Sequence, residues 1–403
     1  MQKAILSPTT RVLVLAVGFL ILFIGGGARF ATSVTLTEMT AEFEMGRGLP
    51  SLIVGLYFIV MAASMFVAGR LVDRTDARAV LAIGLAAAGI GIGLVSLATA
   101  AWQALILFGV VFAIGNGIAS IAPVTVLVTR WFPERAGMAN SIVVSGMSVG
   151  QLVMVAGMAA VLVALGWRSV YVWVGVAHLL MVPLVYALPR AEFSTKSTAQ
   201  TQSAAPGSGP SLTLGQALRT RQFWLLLTVY AMCGFDDFFV STHVVAFAED
   251  RGIDKLFAGN LLGLMGLTAL GGVFWAGAWS DRSGPYNPIL ACFLVRLASF
   301  ILILVDQSPV SVAIFTLAFG ITFLMTAPLT TIIVRNAFGL GHVGSISGLI
   351  LMIHHMCGGV GALLGGLLFD RNGTYDTAFW VMLFSTFVAV ILTQVLRLQP
   401  RAT

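Results

Sequence analysis

The chain has 403 residues, 58% of them apolar and only 9% charged, and its mean hydropathy is +0.98. A soluble globular domain carries roughly a quarter of its residues as charged side chains, so this composition excludes one. The formal net charge of +6 is modest and no basic patch concentrates it, which excludes a nucleic-acid binder.

A membrane-crossing helix needs about 20 predominantly apolar residues. Twelve such runs follow one another at 12–37, 49–71, 79–98, 102–128, 138–165, 167–188, 222–248, 256–279, 288–305, 309–334, 343–368 and 375–397. The chain therefore reads as an all-α membrane protein of two six-helix bundles. Lys3 and Arg11 precede the first run, as in a signal peptide. The run is too long for one and lacks a small-residue cleavage site, so it reads as a retained first helix. An even number of spans puts both termini on one side. With the termini in the cytoplasm, 15 Lys and Arg fall inside, five (Arg47, Arg168, Arg251, Lys255 and Arg371) fall outside, and Arg29 and Arg296 fall within spans. The excess of inside cations sets that orientation, in a cytoplasmic (inner) membrane.

Between spans six and seven lies the longest polar stretch, 189–215, rich in Ser, Thr, Gln, Ala, Pro and Gly. Such a composition makes a flexible linker. The expected organisation is an N-terminal bundle at 1–188, a cytoplasmic linker at 189–217 and a C-terminal bundle at 218–403. Small-residue patterns such as Gly146-x-x-x-Gly150 and Gly361-x-x-x-Gly365 suit close approach of helix backbones in lipid.

The turn after span two reads Gly69-Arg-Leu-Val-Asp73-Arg74-Thr-Asp-Ala-Arg78, and the turn after span eight reads Gly277-Ala-Trp-Ser-Asp281-Arg282. The two are 208 residues apart. The same offset lays Gly26 on Gly234, Phe30 on Phe238, Ser33 on Ser241 and Gly55 on Gly263. The chain is a duplication. Opposite charges in the first turn suit a latch that closes one face of the protein while the other opens. The second turn lacks the last basic residue, with Asn287 nearby instead. Two parallel six-helix repeats joined by a cytoplasmic linker resemble the major facilitator superfamily over the whole chain. That resemblance implies a substrate site near the bilayer midplane between the repeats. It also implies a cytoplasmic gate that includes Gly69, Asp73, Arg74 and Arg78, with Asp281 and Arg282 as the second copy and Arg130 and Arg135 on the same side.

Ionisable residues deep in a membrane are costly unless paired or hydrated, so each is a candidate for function. Span one carries Arg29 and span seven carries Asp236 and Asp237. The repeat sets Arg29 opposite Asp237, which leaves two readings. One is an ion pair that ties the halves together. The other makes Arg29 the anchor of a substrate carboxylate, which a guanidinium grips through a bidentate fork, with the aspartates taking up the proton. Neighbouring helical residues point about 100° apart. Asp237 therefore shares a stripe with Tyr230 and Ser241, and Asp236 shares one with His243. His354 and His355 lie in the middle of span eleven, where one faces the cavity and the other a neighbour or lipid. Asn116 and Gln151, with Ser148, Thr322 and Thr326, offer mid-span hydrogen bonds to a substrate or between helices. Arg296 in span nine and His178 in span six read as structural partners.

Further motifs are Arg29-Phe-Ala-Thr-Ser33, Thr129-Arg130-Trp-Phe-Pro-Glu-Arg135-Ala-Gly137, Gly166-Trp-Arg168, Gly234-Phe-Asp-Asp-Phe-Phe and Phe369-Asp370-Arg-Asn-Gly373-Thr-Tyr375. Together they resemble bacterial monocarboxylate porters, a group that includes oxalate–formate exchangers. The lysine that animal members carry in span one aligns nearest Thr32. The group's arginine and acid in span eight correspond to Val273 and Ala269. The resemblance implies a secondary transporter of a small organic anion, a monocarboxylate, coupled to protons and acting as a monomer. The alternatives on the same fold are an exporter of drugs or metabolites and an anion exchanger. From other classes they are a membrane-embedded enzyme and a solute sensor. Cys233, Cys292 and Cys357 sit in apolar runs and read as packing. No metal-ligand spacing, nucleotide loop or catalytic nucleophile pattern occurs, so no cofactor is expected.

Overall fold

The structure is a computed structural model and describes residues 8–132, 136–188, 212–339 and 342–398. Twelve helices among them are long and apolar enough to cross a membrane: Thr10–Val34, Gly48–Met65, Ala77–Leu97, Ala101–Thr129, Met138–Leu165, Trp167–Tyr186, Arg221–Asp250, Lys255–Ser283, Tyr286–Val305, Pro309–Phe338, Ser345–Asn372 and Asp376–Arg397. They are spans one to twelve below, and each corresponds to one run of the sequence. No strand occurs among the described residues. In lipid a backbone must satisfy its own hydrogen bonds, which a helix does within one segment.

The spans bury one stripe and expose another that is also apolar. In span nine Ile289, Cys292, Phe293, Arg296, Ser299, Phe300 and Ile303 are buried at helical spacing, while Leu294 and Ile301 are exposed.

The chain divides into two compact units, Met1–Ala191 with Ser241–Leu267, and Glu192–Val240 with Thr268–Thr403. This division runs through spans seven and eight, whereas the duplication divides the chain at the linker. The one describes what packs together, the other what was copied. The linker residues 189–211 lie outside the described residues. In the first unit span one packs on span five, span three on span six, and span two on span four; in the second, span nine packs on spans ten and twelve.

The glycine patterns have a direct physical cause. A Cβ on Gly150 would overlap the Phe23 carbonyl of span one, and one on Gly146 would crowd that of Phe19. In the second unit a Cβ on Gly361 would overlap the Phe235 carbonyl of span seven. Close backbone approach is what small residues permit in lipid.

Three spans that read as single runs are interrupted. Span one stops at Ala28, turns at Arg29 and Phe30, and resumes over Ala31–Val34. Span four holds a π-helical turn at Leu107–Phe112 and breaks at Ala119 and Ser120 before Ile121–Trp131. Span ten breaks at Leu324 and Met325, between Pro309–Phe323 and Thr326–Phe338. The last two breaks share a cause. Pro123 and Pro328 have no N–H to donate, and a proline ring clashes with the carbonyl four residues earlier, here Ala119 and Leu324.

Candidate functional site

The eight membrane candidates fall four to each unit. In the first unit Arg29 is buried at the break of span one, its guanidinium 4.7 Å from the centre of the Phe30 ring. Tyr57 of span two lies within electrostatic reach of it. The Asn116 amide donates to the Tyr57 hydroxyl at 2.6 Å and toward the Gly25 carbonyl at 3.4 Å. Tyr57 is fixed among the rings of Phe108 and Phe112, which belong to the π-helical turn of span four. That turn therefore aims the Tyr57–Asn116 pair at the neighbourhood of Arg29. His243 meets the Ser51 hydroxyl at 3.5 Å, and the Gln151 amide donates to the Leu262 carbonyl at 3.1 Å. Tyr57 went unnoticed in the sequence because it carries no charge and sits in an apolar run.

In the second unit both aspartates are buried and point different ways. Asp236 accepts a hydrogen bond from Thr386 of span twelve at 2.8 Å. Asp237 pairs with Arg296 of span nine at 2.6 Å, a salt bridge with both side chains buried. The guanidinium on Asp237 is that of Arg296, in the same unit. Nε2 of His354 stands 3.9 Å from the second Asp237 oxygen, while its Nδ1 meets the Tyr230 carbonyl at 3.1 Å. A carbonyl accepts only from a donor, so Nδ1 carries a hydrogen. Gly234 makes this possible, because a Cβ there would overlap the His354 carbonyl. His355 instead turns back on its own helix, to the Leu351 carbonyl at 2.8 Å.

Cys233 is more than packing. Its sulfur lies 3.4 Å from Asp237 and 3.5 Å from the Thr326 hydroxyl. Cys233, Asp237 and His354 bring three ligand-type atoms within 4.8 Å of one another. Arg296 already supplies the positive charge that a cation would bring, so this cluster is electrostatically complete as it stands.

In the charged turn after span two, the described charged side chains are those of Asp76 and Arg78. Arg78 pairs with Asp76 at 2.7 Å and also donates to the Leu188 carbonyl at the end of span six. Asp76 caps the helix that starts at Ala77 by accepting from the Arg78 backbone. An acidic residue just before a helix is an N-cap signature, which was the available signal for it. Gly69, Asp73 and Arg74 lie on the final turns of the helix Gly48–Arg74, and Arg130 on Ile121–Trp131; their side chains, and all of Arg135, lie outside the described residues. Asp281 and Arg282 end the helix of span eight, exposed.

A second set of charges, absent from the sequence reading, joins the loop after span one to the turn between spans seven and eight, within the first unit. Arg47 forks onto Asp250 through two bonds of 2.6 Å. Lys255 pairs with Glu38, and Thr37 donates to Glu249 at 2.8 Å. Beside them Glu42 accepts from Arg168 and from the Trp167 indole. Arg168 chiefly, and then Trp167, hold its carboxyl below the usual range.

A profile described as Major Facilitator Superfamily matches residues 18–262 and 226–403. An uncharacterized MFS-type transporter of Bacillus subtilis, YcxA, is 24% identical over 84% of each chain. Monocarboxylate transporter 13 of Rattus norvegicus is 24% identical over 86% of this chain and 80% of its own. The oxalate:formate antiporter of Oxalobacter formigenes is 25% identical over 83% and 79%. Among solved structures, a bacterial homolog of the human lysosomal transporter Spinster, inward-facing and occupied, superposes with a TM-score of 0.78 over 97% of both chains at 15% identity.

Proposed function

The chain belongs to the major facilitator superfamily and is a transporter rather than an enzyme, and on that premise we propose that it carries a small organic anion, a monocarboxylate, across the cytoplasmic membrane with a proton. The observation that carries this reading is a guanidinium buried at a break in span one, with the Tyr57–Asn116 pair beside it. An interrupted helix at membrane depth is where this kind of protein places its ligand contacts. Arg29 anchors the carboxylate, and Asn116, Gln151, His243, His354 and His355 are the neighbouring polar candidates. Asp236 and Asp237 take up the proton. Relatives that carry monocarboxylates, oxalate or formate support the substrate class. The turn at Gly69, Asp73, Arg74, Arg78, Asp281 and Arg282, with Arg130 and Arg135, forms the cytoplasmic gate, with Asp76 holding Arg78. The Arg47–Asp250 and Lys255–Glu38 pairs form its outer counterpart. Both termini face the cytoplasm, the linker joins two bundles on that side, and the monomer is the working unit.

Purified protein in proteoliposomes tests this. An inward proton gradient drives accumulation of a small monocarboxylate by the wild type. Arg29→Gln weakens binding about ten- to a hundredfold, as loss of a hydrogen-bonded charge contact of about 1.5–3 kcal/mol requires. Asp236→Asn and Asp237→Asn keep substrate counterflow and lose uphill uptake. Extrusion of cationic dyes, or uphill uptake intact in both aspartate variants, overturns the reading.

A further inference from the structure

Arg296 is fully buried in the middle of span nine, and its polar contacts reach two other helices, spans seven and ten. Nε donates to the Thr322 hydroxyl at 3.0 Å, one terminal nitrogen to the Cys233 carbonyl at 3.2 Å, and the other to the Thr322 carbonyl at 3.1 Å, with Asp237 at 2.6 Å. The rings of Phe319 and Phe293 flank it at 4.8 and 5.7 Å. Thr322 is in the last turn of the first half of span ten, immediately before the break that Pro328 imposes. The last carbonyls of a helix have no partner within it, and the dipole there favours a cation. Arg296 thus caps an interrupted helix from outside. The far side of the break is held to span seven as well, since the Tyr230 hydroxyl donates to the Thr326 carbonyl at 2.6 Å.

We propose that Arg296 is a positioning residue that couples the charge on Asp237 to the break in span ten. This deepens the reading that Asp237 takes up the coupling proton, and rests on it. While Asp237 is ionised, the guanidinium is neutralised and holds the Thr322 end of the break against span seven. When Asp237 is neutral, the same guanidinium is a buried charge that has lost the carboxylate in contact with it and touches only dipoles, with Asp236 acting on it from farther off, which a fold does not tolerate unchanged. The rest of its cage is rings and helix backbone, so the interrupted backbone at residues 323–326 is the part that gives, by moving or admitting water. Asp237 faces Arg296 and Cys292 of span nine, His354 of span eleven and Cys233 on its own helix, with Asp236 next in the chain turned to Thr386 of span twelve. Among the described residues span ten meets the pair through hydroxyls and carbonyls, so the break responds to the pair rather than to a titrating group of its own.

Hydrogen–deuterium exchange on the full chain in nanodiscs tests this, read over peptides covering 316–330. Asp237→Asn raises exchange there by at least about tenfold, as release of a locally held segment requires. Asp236→Asn leaves it near wild type, because that carboxylate bonds Thr386. In the wild type, exchange corrected for its intrinsic pH dependence rises as pH falls. It becomes independent of pH in Asp237→Asn and in Arg296→Gln/Asp237→Asn, which lacks both charges and serves if Arg296→Gln alone fails to fold. His354→Gln keeps the pH response, and its loss there moves the trigger from Asp237 to the histidine and overturns the proposal. Unchanged exchange in Asp237→Asn, or an equal rise at the equivalent break at 118–121, also overturns it. Uphill uptake separates this from the parent reading. Uptake lost with exchange unmoved defeats the role of Arg296 alone, and uptake intact with exchange raised defeats the proton assignment alone.

Discussion

Asp237 and Glu42 show how differently a carboxylate behaves at two depths of one molecule. Asp237 lies in a span and is held by a single buried guanidinium, so truncating either partner strands a charge. Glu42 ends the short helix Leu36–Glu42 outside the spans, where Arg168 and Trp167 lower its pKa from the side of solvent. A lowered folded-state pKa contributes stability that is complete above the unfolded value of about 4.3 and is lost as pH falls through the folded value. Thermal unfolding of the detergent-solubilised protein should therefore weaken on acidification below about pH 5, and Glu42→Gln should flatten that part of the profile. Steeper acid sensitivity in Glu42→Gln would remove Glu42 as a source of it. Arg29 and Asp237 were legible in the sequence as residues, since charge in an apolar run stands out. Their partners were not. Tyr57 is uncharged, and Arg296 was visible but without the neighbour that gives it a role.

Helices in this protein take their form from two kinds of residue. Glycine sets how near two spans come, and proline sets where one stops. Gly150→Val should lower the unfolding temperature, since overpacking a tight helix contact costs about 1–3 kcal/mol; a temperature unchanged from wild type would show that the seam between spans one and five has slack. Pro328→Ala should let span ten run on as a continuous helix. Expected is a protein at least as stable to heat whose transport turnover falls several-fold, read by thermal unfolding alongside uptake. Turnover equal to wild type would mean that the break has no part in the cycle. The spans themselves followed from hydropathy and length alone. The interruptions in spans one, four and ten did not, because a hydropathy run measures transfer into lipid and is blind to backbone direction.

The charge pairs beside spans one and seven belong to the scale of the whole chain. Arg47 and Asp250 are far apart in sequence, come from opposite halves of the duplication and meet through a two-pronged contact. Their side chains are only 11% and 31% exposed, which lifts the pair above the ordinary surface ion pair. Arg47→Gln and Asp250→Asn should each destabilise the protein by about 0.5–1 kcal/mol, and the double variant by no more than the larger of the two. Additive losses in the thermal unfolding of the three variants would show that the two residues act separately.

Composition, span length and the duplicated charged turn by themselves determined that this chain is a duplicated twelve-span membrane protein, and its resemblance to the major facilitator superfamily added transport. Those properties are one-dimensional: a helix in lipid is long and apolar wherever it sits. Tertiary structure alone decided that Asp237 meets Arg296, that Asp76 holds Arg78, and that a loop after span one grips the turn after span seven. In a soluble protein the polar face of a helix marks the side that faces out. Here both the exposed and the buried side of a span are largely apolar, so hydropathy carries no record of which buried charges share a neighbour.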